Sequence, residues 1–233
     1  MSRKSVIRFI VIALAAVAVW NFPLTYHIGI DSVVSEHKIP FYAKACGFLY
    51  RDWVYRDIVR DIIGAEKDPV KKALVIMNWV SSNIMRGVPK GIKTVDDHPL
   101  NIIIRRYGSD DQIQDIFTIL CSYAGMKSGM AKCFNSDKTS FMVFSLVMAG
   151  DRWLIFDAIA NKYFLNRKGG IADIEDYAKG DLVISEKDRE LYGEYLEYLK
   201  HIDTSNFTRA EEQMPFRRIP ASIKKMLSVS QNQ

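Results

Sequence analysis

Gly108-Ser109-Asp110-Asp111-Gln112-Ile113-Gln114-Asp115-Ile116-Phe117-Thr118-Ile119-Leu120-Cys121-Ser122-Tyr123-Ala124-Gly125 decides the fold of this chain. Ser109 and Gln112 stand at the spacing of a capping box, in which the two side chains satisfy each other's free backbone amides. Ile113, Ile116, Phe117, Leu120 and Ala124 follow at steps of three and four and make one apolar face. Gly125 is a natural stop. The stretch predicts a single helix starting near Asp110. After it the period changes. Met130 to Phe134, Phe141 to Met148 and Trp153 to Asp157 read as strands, the last two joined by a turn at Gly150-Asp151. A helix packed on an antiparallel sheet gives an α+β class.

Working outward, Asp68-Pro69 opens a helix carrying Val70, Ala73, Leu74, Met77, Val80 and Ile84 at helical spacing. Gly87, Pro89 and Gly91 end it. His98-Pro99 precedes a short helix over 100–106. Residues 25–68 read as short helices wrapping the core. Gly169-Gly170 marks a loop. Residues 185–201 read as a charged helix packing through Tyr192, Tyr195, Leu196 and Leu199. The expected division is 1–24, a membrane segment; 25–68, a helical lead-in; 69–180, the main domain; 181–233, a helix and basic tail with a loosely ordered end.

The chain has 233 residues, 48% hydrophobic and 25% charged, which excludes global disorder and a polytopic membrane protein. The net charge of +5 is terminal: Arg3, Lys4 and Arg8 supply +3, and Arg217, Arg218, Lys224 and Lys225 supply +4, leaving the rest at −2. No basic stripe remains on the body, so nucleic acid is not an expected partner. Cys46, Cys121 and Cys133 allow at most one disulfide. His27, His37, His98 and His201 lack metal-ligand spacing, so neither a metal nor a cofactor is expected.

Phe9 to Trp20 is an unbroken apolar run preceded by Arg3, Lys4 and Arg8. Counting Ser5 to Leu24 reaches the ~20 residues of a span, with Arg8 snorkelling to the headgroups. The charges place the body outside the cytoplasm. An uncleaved signal anchor with Trp20 and Phe22 as interfacial belt is favoured. A cleaved signal peptide with Ala16-Val17-Ala18 as its site and a buried helix of a cytosolic protein are the alternatives.

The order of these pieces resembles the transglutaminase-like superfamily, within the papain-like fold. Gly108-Ser109-Asp110-Asp111-Gln112 aligns with the family's G-x-C-D-Q. Gly125 falls at the glycine closing that helix. Asp151-Arg152-Trp153-Leu154-Ile155-Phe156-Asp157 matches the strand carrying the aspartate. Ala73, Trp79-Val80 and Asn83-Ile84 match an upstream helix, and Asn166 to Gly170 with Ile171 to Tyr177 match a downstream segment. The resemblance covers about residues 69–180. It implies a central helix on an antiparallel sheet and a site where a thiolate attacks a carbonyl, a histidine moves protons and an aspartate orients the histidine.

The departures are at the reacting positions. Asp110 stands where the cysteine does, and Ser140 or Phe141 where the histidine does; only Asp157 is kept. Losing two members of such a unit removes the thiol mechanism. Cys121 lies about three turns into the helix among apolar neighbours, and Cys133 lies in the next strand; a thiol enzyme built on either would need a histidine in reach. The resemblance therefore implies a catalytically inactive, membrane-anchored binding or scaffold module of the cell envelope, taking a protein or glycan partner. The alternative is a hydrolase using an Asp110/Asp157 carboxylate pair on a glycan or peptide, or a pair gripping a cation. Asp110, Asp111 and Asp115 otherwise complement the helix dipole. A filled cleft, with Phe141 or Met142 in it, would separate a binding module from the carboxylate enzyme.

Overall fold

The structure is a computed structural model. It describes residues 2–30, 33–92 and 96–204, with Phe207, Met214, Pro215, Arg217 and Arg218. The expectation for the chain end, including Lys224 and Lys225, lies outside these.

Helix α1 covers Arg3–Trp20 and buries none of its residues. Ser2 caps it. Strand β1 (Pro23–Ile30) starts three residues later, so Ser5 to Leu24 does not form one helix. Among the described residues no helix is long and apolar enough to cross a membrane. β1 pairs antiparallel with β2 (Val33–Pro40), Tyr26 opposite His37. Helix α2 (Phe41–Ile63) follows directly.

This corrects the expectation of short helices over 25–68. The hairpin is silent in the sequence because Asp31-Ser32 lacks the glycine that marks a two-residue turn. The length of α2 is hidden because its apolar residues lie on two opposite faces. Tyr55 and Val59 point into the core, whereas Tyr42, Leu49, Tyr50 and Trp53 are exposed. No single stripe results.

Helix α3 (Pro69–Asn83) starts as read, with Asp68 accepting from the Lys71 amide at 2.8 Å. β3 (Met85–Arg86) pairs in parallel with β4 (Tyr107–Gly108), Arg86 opposite Gly108. Between them, α4 (Pro99–Arg105) is capped by His98, whose Nδ1 accepts from the Leu100 amide at 3.2 Å. Helix α5 (Asp110–Tyr123) is the central helix. The Ser109 amide donates to Gln112 Oε1 at 3.0 Å, half of the expected capping box.

Strands β5 (Ser128–Phe134), β6 (Phe141–Ala149), β7 (Arg152–Asp157) and β8 (Lys162–Tyr163) form one antiparallel sheet in that order. β9 (Leu165–Asn166) pairs with β10 (Leu182–Val183). Between these, α6 (Ile174–Ala178) is tied to β7 by Arg152, which binds Asp173 and Asp176. Helix α7 (Glu186–Glu197) and a 3₁₀ turn (Tyr198–His201) close the described fold.

The sheet is a middle layer. On one side Val147, Leu154 and Phe156 pack with Ile113, Ile116, Phe117 and Leu120 of α5 and with α2, α3 and α4. On the other, Phe144, Leu146 and Ile155 pack with Tyr192, Leu196 and Leu199. Helix α5 is buried around most of its circumference. At about 25 cal/mol per Å², each large side chain enclosed here contributes roughly 1.5–3 kcal/mol before conformational entropy is charged.

Candidate functional site

Asp110, Gln114, Thr118 and Ser122 follow one another at four-residue spacing along α5, so they form a row one above the next. Below Asp110 the row is buried. Ser122 and Thr118 meet the Ser128 hydroxyl, which donates to the Thr118 carbonyl at 2.6 Å and lies 2.8 Å from Ser122 Oγ. Gln114, one turn below Asp110, is the hub. Its Nε2 donates to Asp157 Oδ1 at 3.0 Å, and its Oε1 accepts from the Ser145 hydroxyl and from the Ala158 amide at 3.3 Å.

Asp157, at the end of β7, is 4% exposed. Oδ1 also accepts the Ile159 and Ala160 amides at 3.0 and 3.2 Å. Oδ2 accepts the Tyr192 hydroxyl of α7 at 2.9 Å. Oδ1 thus takes three donors, and the group against Oδ2 is a phenol rather than an imidazole. Burial, then the charge of Asp157, pushes the Tyr192 phenol well above its usual ionisation range. Tyr192 stays a donor at any physiological pH. The network Ser145–Gln114–Asp157–Tyr192 runs through all three layers.

Asp110 sits at the first turn of α5 and is bound elsewhere. Arg86 Nε and Nη2 donate to its two oxygens at 2.6 Å each. The β3–β4 pair aims Arg86 there, with the Gly87 amide donating to the Gly108 carbonyl at 2.7 Å. Gly108 has no room for a side chain: a Cβ would lie 2.9 Å from Ile102 and 3.0 Å from Gln112 Oε1. The hydrogen bonds and charge of Asp110 hold the Arg86 guanidinium above its usual value, and Asp157 adds to the effect. Arg86 thus reaches the electrostatic neighbourhood of both carboxylates.

Ser140 lies apart from these groups. It is exposed, its hydroxyl is 2.8 Å from the Tyr195 hydroxyl, and its amide donates to Asn135 Oδ1 at 2.9 Å. The register pairs Ser145 with Phe156, so Phe144 lies level with Asp157. Ser140 is four residues further along, about 13 Å at 3.3 Å per residue. Phe141 is half exposed under the Lys132 ammonium, 3.7 Å from the ring centroid. The side chain that abuts Asp157 is Tyr192, rather than Phe141 or Met142.

The structure brings Asp110 and Asp157 to the same end of α5 but binds each to different donors. Of these donors, Gln114 could have been found in the sequence as a polar residue one turn after Asp110 in a buried helix. Arg86 and Tyr192 carry no sequence signal, being set by the β3–β4 pairing and by α7 docking.

All three cysteines are free thiols. Burial raises Cys121 far above its ordinary value and pushes Cys133 up to about 12. Both are protonated at neutral pH and are not nucleophiles. His98 is neutral, lowered to about 4 by burial and by the Arg51 charge. Among the described residues no group of acidic, histidine or cysteine side chains could hold a metal. Two grooves lie elsewhere: one of about 500 Å³ beside Trp153, Arg152, Asp173 and Asp176, and one of about 760 Å³ beside Arg167, Tyr177 and Lys200.

Residues 56–158 match the sequence model of the Transglutaminase-like superfamily. No curated protein matches the chain. Among solved structures, a presumed cysteine protease from Cytophaga hutchinsonii is 14% identical with a TM-score of 0.41, over 65% of each chain. A presumed protease from Parabacteroides distasonis is 10% identical with a TM-score of 0.38, over 57% of this chain and 35% of that one. A structure named as a TGase is 8% identical with a TM-score of 0.36, over 63% of this chain and 46% of that one. The chain thus spans about a third to two thirds of the length of these proteins. The capped helix, closing glycine and aspartate strand lie within residues 56–158, the segment that matches the Transglutaminase-like superfamily over a little under half of the chain.

Proposed function

We propose that this protein is a membrane-attached, extracytoplasmic transglutaminase-like domain that has lost acyl-transfer chemistry and acts as a binding or scaffold module in the cell envelope, with a protein or glycan as partner. The observation that supports the loss of chemistry is that both carboxylates at the head of α5 are already held by other groups. Asp157 is bound by Gln114, Tyr192 and two backbone amides, and Asp110 is clamped by Arg86. A general base must reach the proton it takes, and a nucleophile must reach its base. Among the described residues at the head of α5, neither a thiol nor an imidazole is bound to Asp110 or Asp157.

The same arrangement weighs against a carboxylate-pair hydrolase. Such a pair needs both groups open to one solvent-filled cleft, with room for substrate between them. Asp157 is buried.

Attachment is supported by α1. After Arg8 it is apolar on every side, and Phe9, Val11, Ile12, Leu14, Val17 and Val19 are exposed. A helix that is hydrophobic all round calls for an apolar environment on all sides. Its apolar run, Phe9 to Trp20, is about 18 Å long at 1.5 Å per residue, short of a hydrocarbon core of ~30 Å. A short run is accommodated by local thinning of the bilayer and by Arg8 reaching the headgroups.

The test of the chemical half is the Asp110→Cys variant of the full chain, assayed for thiol-dependent acyl transfer. No activity is expected, since no base generates the thiolate. Restored activity would overturn the reading.

A further inference from the structure

Helix α2 presents a second apolar surface, on the side away from the core. Tyr42, Leu49, Tyr50 and Trp53 fall within an arc of about 100° at 100° per residue. Leu49, Tyr50 and Trp53 are 54%, 60% and 61% exposed. Asp52, Tyr55 and Val59, on the opposite face, are buried. The stripe is therefore left over after the domain has packed.

It is continuous with α1. The Trp20 ring stacks on Tyr42 with centroids 6.4 Å apart and meets the edge of Phe41 at 5.9 Å. The Phe41 amide donates to the Phe22 carbonyl at 2.8 Å. The end of α1 is thus fixed to the start of α2. Trp20, at the end of the apolar run, meets Phe41 and Tyr42 beside Phe22, and Tyr50 and Trp53 continue the stripe along α2. Tyrosine and tryptophan in this place are the residues that settle at headgroup level, with the ring in the apolar boundary and the polar atom in water. A protein groove would cover one face of α1; a lipid environment covers all of its faces and then meets an aromatic border.

We propose that the outward stripe of α2 lies in the headgroup region of the bilayer that takes α1, so that the transglutaminase-like domain is held against the membrane in one orientation rather than hanging from a flexible stalk. This rests on the reading of α1 as the membrane anchor. A helix in this position lies in the interface plane with its apolar face submerged.

The test uses the full chain in phosphatidylcholine–phosphatidylglycerol vesicles. Cys46 is exposed at the same stripe, whereas Cys121 and Cys133 are buried, so a thiol-reactive environment-sensitive fluorophore reports from Cys46. The expected result is blue-shifted emission that is quenched by lipids brominated close to the headgroup. The double variant Tyr50→Glu, Trp53→Glu, which touches only exposed positions, should lose that quenching and still float with the vesicles. Flotation without quenching in the parent protein overturns the α2 inference and leaves the α1 anchor standing. Failure to float overturns the anchor, and the α2 inference with it. Self-quenching that rises with protein-to-lipid ratio while brominated lipid has no effect would make a second copy the occupant and also overturn it.

Discussion

Asp157 and Asp110 are both aspartates at the head of one helix, yet they answer to different physics. Asp157 is buried with four hydrogen-bond donors around it. Removing it strands those donors away from water, so Asp157→Ala should lower stability by about 3–5 kcal/mol. Asp110 lies in an exposed ion pair. Asp110→Ala should lower stability by at most about 1 kcal/mol. Urea unfolding of the two variants should separate them clearly; equal effects would mean that Asp157 is not the hub the hydrogen bonds make it. Asp157 and Asp110 were legible because they sit in spaced motifs with glycine and tryptophan. Gln114 was hidden because it lies among the apolar residues of α5 and belongs to no spaced motif. Arg86 and Tyr192 were hidden because they reach the site from elements whose docking no local pattern encodes.

At the scale of elements, the capped helices were the readable parts. Asp68-Pro69 and Ser109-x-x-Gln112 each satisfy backbone amides that the first turn leaves free, and that chemistry is local. His98 caps α4 as an acceptor, which requires the neutral imidazole. Its value of about 4 lies below the ~6.5 of an unfolded chain. The unfolded state therefore binds the proton first. The His98 contribution is complete above about pH 6.5 and is lost as pH falls toward 4, a change on the order of 2–3 kcal/mol. The His98→Asn variant keeps a capping acceptor that does not titrate, so its stability should vary less between pH 4 and 6.5 than the parent's. Matching pH profiles would remove His98 from that role. The thiols give a second check on packing. In the native protein one thiol, Cys46, should react with an aromatic disulfide reagent, and Cys121 and Cys133 should react only after denaturation. The β1–β2 hairpin and the full length of α2 were not legible. The apolar residues of α2 serve two faces at once, and a single periodicity cannot report both.

For the whole molecule, the strands Met130 to Phe134, Phe141 to Met148 and Trp153 to Asp157, and a helix packed on their sheet, followed from the sequence because the helical period ends at Gly125 and short apolar runs follow. What the sequence could not convey is how the corner around Asp157 is packed, since Tyr192 arrives from beyond the family segment. The topology proposed for the chain predicts that a tagged protein sediments with membranes and that protease added outside the cytoplasmic membrane removes the body. Recovery of intact protein from the soluble cytosol would contradict it, and a mature chain starting near Val19 would replace the anchor with a cleaved signal. The most direct test of the central claim is turnover. The purified full chain is offered peptide and glycan substrates and an acyl donor with an amine acceptor, beside the Asp110→Asn variant. The account predicts no product above background from either protein. Substrate cleavage by the parent that disappears in Asp110→Asn would contradict it and establish a carboxylate enzyme in place of a binding module.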